Sequence, residues 1–233
     1  MDKHAGRAQT DSYYRKTAGY SYDDETVDRW LHRWFVPMIR ARPGWRVLDL
    51  ACGDGAWSFG LLRMEPSLEI TGVDFSEGAI ESASARAEGV NNLRFMCADL
   101  EDLPTDLEGF DLIFGRGIPL LNQHDMTHQG CLDAFRGLHQ RLVDSGRFYT
   151  SYAGRPHLEG SYTPSGEMRL PLNRFPRRTR AVQFSGGKYN HSQASFLAPF
   201  LSLPDVDVES YRYRSGRHAC ATVRRSLGTP TQT

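Results

Sequence analysis

Residues 47–55 read VLDLACGDG. A short apolar run ending in an acid gives way to small residues and two glycines, and residues 57–64 then carry the apolar spacing of a helix. Strand, tight glycine turn and helix open a parallel α/β unit, in which ligands lie beyond the carboxyl ends of the strands. Small residues in such a turn let the backbone approach a ligand closely.

The alternation continues outward from this stretch. After Arg42-Pro43-Gly44 the first strand is expected over 45–50 (WRVLDL). Downstream come a strand at 68–73 (LEITGV), a helix over 76–88 with Ser76 as N-cap and Gly89 beyond its end, and strands at 93–97 (LRFMC), 110–114 (FDLIF) and 146–152 (GRFYTSY). Cys131, Leu132, Phe135, Leu138 and Leu142 share one face of a long helix before the last of these. A further helix is expected over 192–201, then two strands at 206–214 and 218–225. The link Ser215-Gly216-Arg217 is too short for anything but an antiparallel pair. Upstream, Val27, Trp30, Leu31, Trp34, Phe35 and Met38 recur at helical spacing behind Asp23 or Asp24 as cap, and Pro37 ends or kinks that helix. The fold class expected is α/β: a doubly wound, mostly parallel sheet closed by a C-terminal hairpin. Residues 1–42 read as an N-terminal arm and lid helix, and 43–233 as one domain. Within it, residues 153–190 hold four prolines and the basic run Arg174, Arg177, Arg178 and Arg180. They read as an insertion over the substrate side, with a short strand at 180–184 (RAVQF).

Composition removes several function classes. The 28 basic and 28 acidic residues cancel, which argues against a dedicated nucleic-acid binder. An apolar share of 39% supports a real core. No apolar run approaches the roughly 20 residues of a membrane helix, and residues 1–16 lack the apolar segment of a secretory leader. Cys52, Cys97, Cys131 and Cys220 show neither zinc-ligand nor redox spacing, so free thiols in a reducing cytoplasm are expected.

A nicotinamide dinucleotide is the first ligand to weigh for the glycine turn. Its G-x-G-x-x-G pattern fails, because the third position after Gly55 is Ser58. Asp49 at the turn's entrance would also repel a pyrophosphate and suits a ligand with a cationic group. Asp74 closes the second strand, where an acid accepts from both ribose hydroxyls of a nucleoside. Asp99, after the third strand, is placed to accept from an adenine amine. Three acids at three successive strand ends describe a site for adenosine bearing a cationic amino acid. The plainer alternatives are that Asp49 and Asp74 serve helix N-termini and that Asp99 is a solvated loop acid.

On these residues the sequence resembles the class I S-adenosylmethionine-dependent methyltransferases. Asp49-Leu50-Ala51-Cys52-Gly53-Asp54-Gly55 is similar to the family's D/E-x-G-x-G-x-G, with Ala51 in place of the first glycine. Gly72-Val73-Asp74-Phe75-Ser76 resembles the second-strand motif, where the acid holds the ribose and Phe75 packs on adenine. Ala98-Asp99-Leu100 resembles the motif that reads the adenine amine, and Phe110-Asp111-Leu112-Ile113 the fourth-strand motif. Tyr14 and Tyr20, in Tyr14-x-x-x-Ala18-x-Tyr20, resemble the arm that closes over the cofactor in small-molecule members; as surface aromatics they would do nothing of the kind. The resemblance implies a seven-stranded sheet with an antiparallel last strand and S-adenosylmethionine as cofactor. It places Gly115 and Arg116 along the cofactor's methionine part, Arg116 being otherwise a plain surface charge.

His124 follows the fourth strand, where acceptor and methyl group meet in related enzymes, and is the candidate base. Its alternative is a polar loop residue. His124 and His128 alone do not make a metal site. The magnesium-dependent branch is not indicated, because GRGIPL and SYAGRP stand where its ligands belong, and no N-P-P-Y-type base-methylation motif follows the fourth strand. The expectation is methyl transfer to O or N of a small molecule, an aromatic or carboxylate-bearing natural product. Membrane and nucleic acid are not expected partners, and a homodimer is left open. The alternatives are an RNA or protein methyltransferase and a non-methylating cofactor-binding protein, a cyclase or a partner subunit.

Overall fold

A computed structural model describes residues 22–100, 102–116, 118, 129–153, 161–162, 168–169, 182–183, 189–190, 193–213 and 216–223. Tyr14, Tyr20, His124, His128 and the run Arg174 to Arg180 lie outside the described residues, as does most of the insertion.

Helix α1 (Asp24–Trp30) begins where the Asp23 side chain accepts from the Thr26 amide at 2.8 Å. It runs on as a π-helical turn, Leu31–Phe35, in which the Val36 amide donates five residues back to Leu31 O. The helix is over before Pro37. Val27, Leu31 and Phe35 are wholly buried, each removal of such a side chain from water stabilising by roughly 1.5–3 kcal/mol. Arg63 ties α1 down by pairing with Asp24 at 2.9 Å and Asp28 at 2.7 Å.

The elements of the main sheet and the helices that cover it follow in order: β1 (Arg46–Leu50), α2 (Ala56–Met64), β2 (Glu69–Asp74), α3 (Glu77–Arg86), β3 (Leu93–Cys97), β4 (Phe110–Arg116), α4 (Gln129–Gln140), β5 (Leu142–Ala153), α5 (Gln193–Leu201), β6 (Val206–Tyr213) and β7 (Gly216–Val223). Their sheet order is β6-β7-β5-β4-β1-β2-β3. Pairs from β5 through β3 are parallel, and β7 runs antiparallel to both β5 and β6. This is the expected doubly wound, seven-stranded sheet with its antiparallel end.

Alternation along each strand divides the core between the two faces. Leu48, Ile113 and Phe148 meet Phe135 of α4 and Phe200 of α5. Val47, Leu112, Phe114 and Tyr149 meet Val27, Leu31 and Phe35 beneath α1, with Trp57 and Leu61 of α2.

Several boundaries differ from expectation. Leu142 belongs to β5, not to the helix face. A bulge between the pairs Phe110↔Leu142 and Leu112↔Arg147, with Ser145 at φ 65°, lengthens β5 to twelve residues. The first strand starts at Arg46 and the second at Glu69, while α3 is shorter than its periodicity. The C-terminal hairpin is tighter than expected, because pairing reaches Tyr213↔Gly216. The strand at 180–184 contracts to Val182–Gln183, paired with Tyr189–Asn190. Tyr22 is half-buried, its ring meeting Trp57 edge-on at 5.4 Å.

Candidate functional site

The turn after β1 needs three left-handed residues, Ala51, Gly53 and Gly55, at φ 55°, 56° and 78°. Gly53 and Gly55 adopt this at little cost, whereas an alanine there costs about 1–2 kcal/mol. Ala51 is therefore a strained stand-in for the first glycine of the pattern. Gly55 also answers to a neighbour, since a Cβ on it would lie 2.5 Å from the Phe95 ring. The same ring excludes a Cβ at Gly72. These glycines are needed for the packing of Phe95 as well as for open backbone above.

Four amides in and just after the turn are committed within the protein. Cys52 N donates to Val73 O at 3.1 Å and Gly55 N to Cys52 O at 3.0 Å. Gly53 N donates to Asp74 Oδ2 at 3.0 Å, and Ala56 N to Asp54 Oδ1 at 3.2 Å. A phosphate-binding turn aims such N–H groups at its ligand. Here buried carboxylates stand in and beside the turn instead: Asp49, Asp54 and Asp74 are 2%, 5% and 4% exposed. These acceptor carboxylates fit a cationic nucleoside such as S-adenosylmethionine and oppose a pyrophosphate.

Asp49 sits on β1, in register with Gly72 of β2 and Phe114 of β4. Its Oδ2 accepts from the Ser58 hydroxyl at 2.6 Å. Burial pushes its carboxyl up to about 7, the Ser58 bond opposing and the Asp74 charge adding to the rise. Ser58, the residue that spoils the dinucleotide pattern, is thus the partner of the turn's entrance acid. Only that mismatch in the sequence hinted at it.

Asp74 ends β2, and its two oxygens accept from Gly53 N and Ser76 N, the latter at 3.0 Å. Burial raises its pKa, opposed by the amides of Ser76, Gly53 and Phe75. Asp74 thus serves the start of α3, as its plainer alternative has it, and also clamps the glycine turn, with lone pairs left on each oxygen. Ser76 caps α3, its hydroxyl accepting from Ala79 N at 3.3 Å.

Phe75 is half-buried beside Asp74. Asp99 is half-buried just past β3, and its carbonyl accepts from Asp102 N at 3.0 Å. Ala98 and Leu100 pack against the core on either side of it, which fixes the loop that carries the acid. Gly115 lies in β4 opposite Leu50, its carbonyl held by the Thr150 hydroxyl at 2.7 Å. Arg116 ends β4 with its guanidinium over the rings of Tyr22, Trp30 and Trp57. The structure therefore brings Asp49, Ala51, Gly53, Gly55, Asp74, Phe75, Asp99, Leu100, Gly115 and Arg116 to the carboxyl ends of adjacent strands.

Sequence reasoning missed Asp54 and Arg86. Arg86 donates to Asp54 O at 2.9 Å, lies 3.4 Å from its carboxylate, and spans the Phe59 ring at 4.6 Å. This bridge between α3 and the turn carries no local pattern, since the partners are 32 residues apart. Among the described residues no cluster has the ligands to hold a metal ion, and no helix is long and apolar enough to cross a membrane.

Comparison with known proteins agrees with this geometry. Residues 47–146 match the family described as a methyltransferase domain. A demethylmenaquinone methyltransferase of Staphylococcus aureus is 34% identical over 83 residues, which is 34% of this chain and 34% of that protein. The chain thus aligns with about a third of the length of the curated relatives it matches. An S-adenosylmethionine-dependent methyltransferase from Mesorhizobium loti superposes with a TM-score of 0.60 at 18% identity, covering 86% of this chain and 100% of that one. The cyclase SpnF superposes at 0.59 with 17% identity, covering 88% and 82%. The structural likenesses speak for the fold alone. Residues 47–146 thus match a methyltransferase domain, on a fold shared with S-adenosylmethionine-dependent methyltransferases.

Proposed function

We propose that the protein transfers a methyl group from S-adenosylmethionine to an O or N atom of a small molecule. The observation that carries this reading is the turn after β1, four of whose nearby amides bond within the protein while the carboxylates of Asp49 and Asp74 lie buried beside it. The partial similarity to a demethylmenaquinone methyltransferase, an enzyme named for a small acceptor, supports the substrate class.

The bound cofactor would supply a methyl on a sulfonium, open to in-line attack. Asp49, steered by Ser58, would favour the cationic amino-acid part, and Asp74 would accept from the ribose while holding the turn. Asp99 would accept from the adenine amine between Phe75 and Leu100, and Gly115 with Arg116 would border the methionine end. Tyr14 and Tyr20 would close over the cofactor, and His124 would take the acceptor's proton. Residues 1–42 and the 153–190 insertion would form the acceptor lid on the 43–233 domain, rich in rings that give large rigid contact. An aromatic or carboxylate-bearing natural product suits that lid.

The test is incubation with methyl-labelled cofactor and a panel of phenols, quinols, amines and carboxylates. Label in a small product is the expected result. Cofactor binding without turnover on any acceptor would favour a non-methylating role, for which the fold shared with a cyclase leaves room. Label entering RNA or protein, with salt-sensitive binding, would move the acceptor class. Full activity in His124→Ala, with an unaltered pH profile, would remove His124 as base.

A further inference from the structure

Arg116 stands two residues beyond Phe114 and therefore on the same face of β4. Phe114 stacks on Tyr149 and meets Phe35 edge-on, so this face lies under α1. Past that core, the Arg116 guanidinium carbon lies 4.8, 5.3 and 4.3 Å from the ring centroids of Tyr22, Trp30 and Trp57. The rings brace one another, Trp57 meeting Tyr22 at 5.4 Å and Trp30 at 4.9 Å. They come from the start of the described chain, from α1 and from the first turn of α2.

Ring faces stabilise a cation through their electrons without taking up its N–H donors. Among the described residues no carboxylate or carbonyl accepts from Arg116. Asp49, in register with Phe114, lies on this same face one step back. No ion pair joins the two: Asp49 takes its hydrogen bond from Ser58, and Arg116 is held by the rings. An acid and a base on adjacent strand ends, kept apart by separate partners, match a ligand with a cationic group and a carboxylate at opposite ends. A planar guanidinium already held among rings loses little freedom when its N–H fork takes a carboxylate.

We infer that Arg116 is a carboxylate-reading residue, and that the Tyr22–Trp30–Trp57 cage holds it ready, making the N-terminal helix part of the ligand site. This rests on the proposed function and deepens it. The carboxylate has two sources, the cofactor's amino-acid end or the acceptor.

Calorimetry on the full chain distinguishes them. The probes are S-adenosylmethionine, its decarboxylated form, and benzoate added to protein saturated with S-adenosylhomocysteine. Arg116→Met keeps an apolar side chain among the rings. If Arg116 reads the cofactor, the wild type prefers the carboxylated form by tenfold or more, and Arg116→Met loses that preference while binding the decarboxylated form unchanged. If it reads the acceptor, cofactor affinity stays within twofold and benzoate binding falls at least tenfold. Arg116→Lys, which keeps the charge among the rings but not the fork, loses most of either effect and serves also where the methionine variant does not fold. Substitutions that leave both arms within twofold overturn the inference, as does a wild type with neither preference nor benzoate binding. A wild type that binds neither form of the cofactor overturns the proposed function instead.

Discussion

Asp74 Oδ2 accepts from the backbone amide of Gly53 at 3.0 Å, across two different strand ends. The other oxygen of the same carboxylate accepts from Ser76 N, so one side chain locks the turn after β1 to the start of α3. The β2 backbone repeats the link, since Val73 O accepts from Cys52 N and Asp74 O from Ala98 N. Three loops at the carboxyl edge are thus set in mutual register before any ligand arrives, a preorganisation that lowers the cost of binding.

Asp74→Asn tests this clamp. An amide side chain has one acceptor oxygen, so an N–H group must then face the amide of Gly53 or Ser76. Leaving a buried donor unsatisfied costs about 1–3 kcal/mol. Thermal unfolding of the apoprotein should show that loss, and calorimetry a parallel drop in cofactor affinity. An unchanged melting temperature with weakened binding would mean that Asp74 serves the ligand alone.

The order and kinds of the elements were legible because the apolar period switches cleanly between strand and helix, as in 45–64. The acids were legible because Asp49, Asp74 and Asp99 stand at or beside successive strand ends. What escaped were relationships between distant positions: Asp54 with Arg86, Gly72 with Phe95, and Arg116 with three rings from three segments. The bulge at Ser145 escaped for a different reason. Leu142 keeps helical spacing with Leu138, yet the chain turns into strand at once, and pairing with Phe110 overrides the local pattern.

Asp49 predicts a pH dependence of definite sign. Its folded pKa is raised to about 7 from 3.8, so the unfolded chain releases this proton first. Stability of the apoprotein should therefore fall as pH rises from about 4 to 7 and level off above, by at most about 4 kcal/mol from this group. Binding of a cationic ligand needs the ionised form, so cofactor affinity should rise from pH 6 to pH 8. Asp49→Asn still accepts from Ser58. It should raise the melting temperature at pH 8, flatten the stability slope and bind cofactor weakly at every pH. A variant that keeps wild-type affinity with a wild-type pH slope would remove Asp49 from the site.

The last prediction concerns the floor under the turn. A Cβ at Gly72 would stand 2.5 Å from Phe95 Cδ1 and 3.1 Å from Cys52 Sγ, and one at Gly55 2.5 Å from Phe95 Cζ. One ring therefore sets the height of both the glycine turn and the middle of β2. Gly72 has no left-handed backbone of its own, so Gly72→Ala isolates the steric effect. Overpacking of this kind costs about 1–3 kcal/mol. Phe95→Leu alone should cost about 1 kcal/mol through lost contact. In the double variant the smaller side chain vacates the space that the new methyl needs, so the two losses should not add, and coupling of about 1 kcal/mol should appear in a denaturant-unfolding cycle. The turn would regain its position with it, so cofactor affinity should recover in step with stability. Strict additivity of the two losses would mean that Phe95 swings clear of the methyl at no cost, and that the glycines are required by the ligand and not by the ring beneath them.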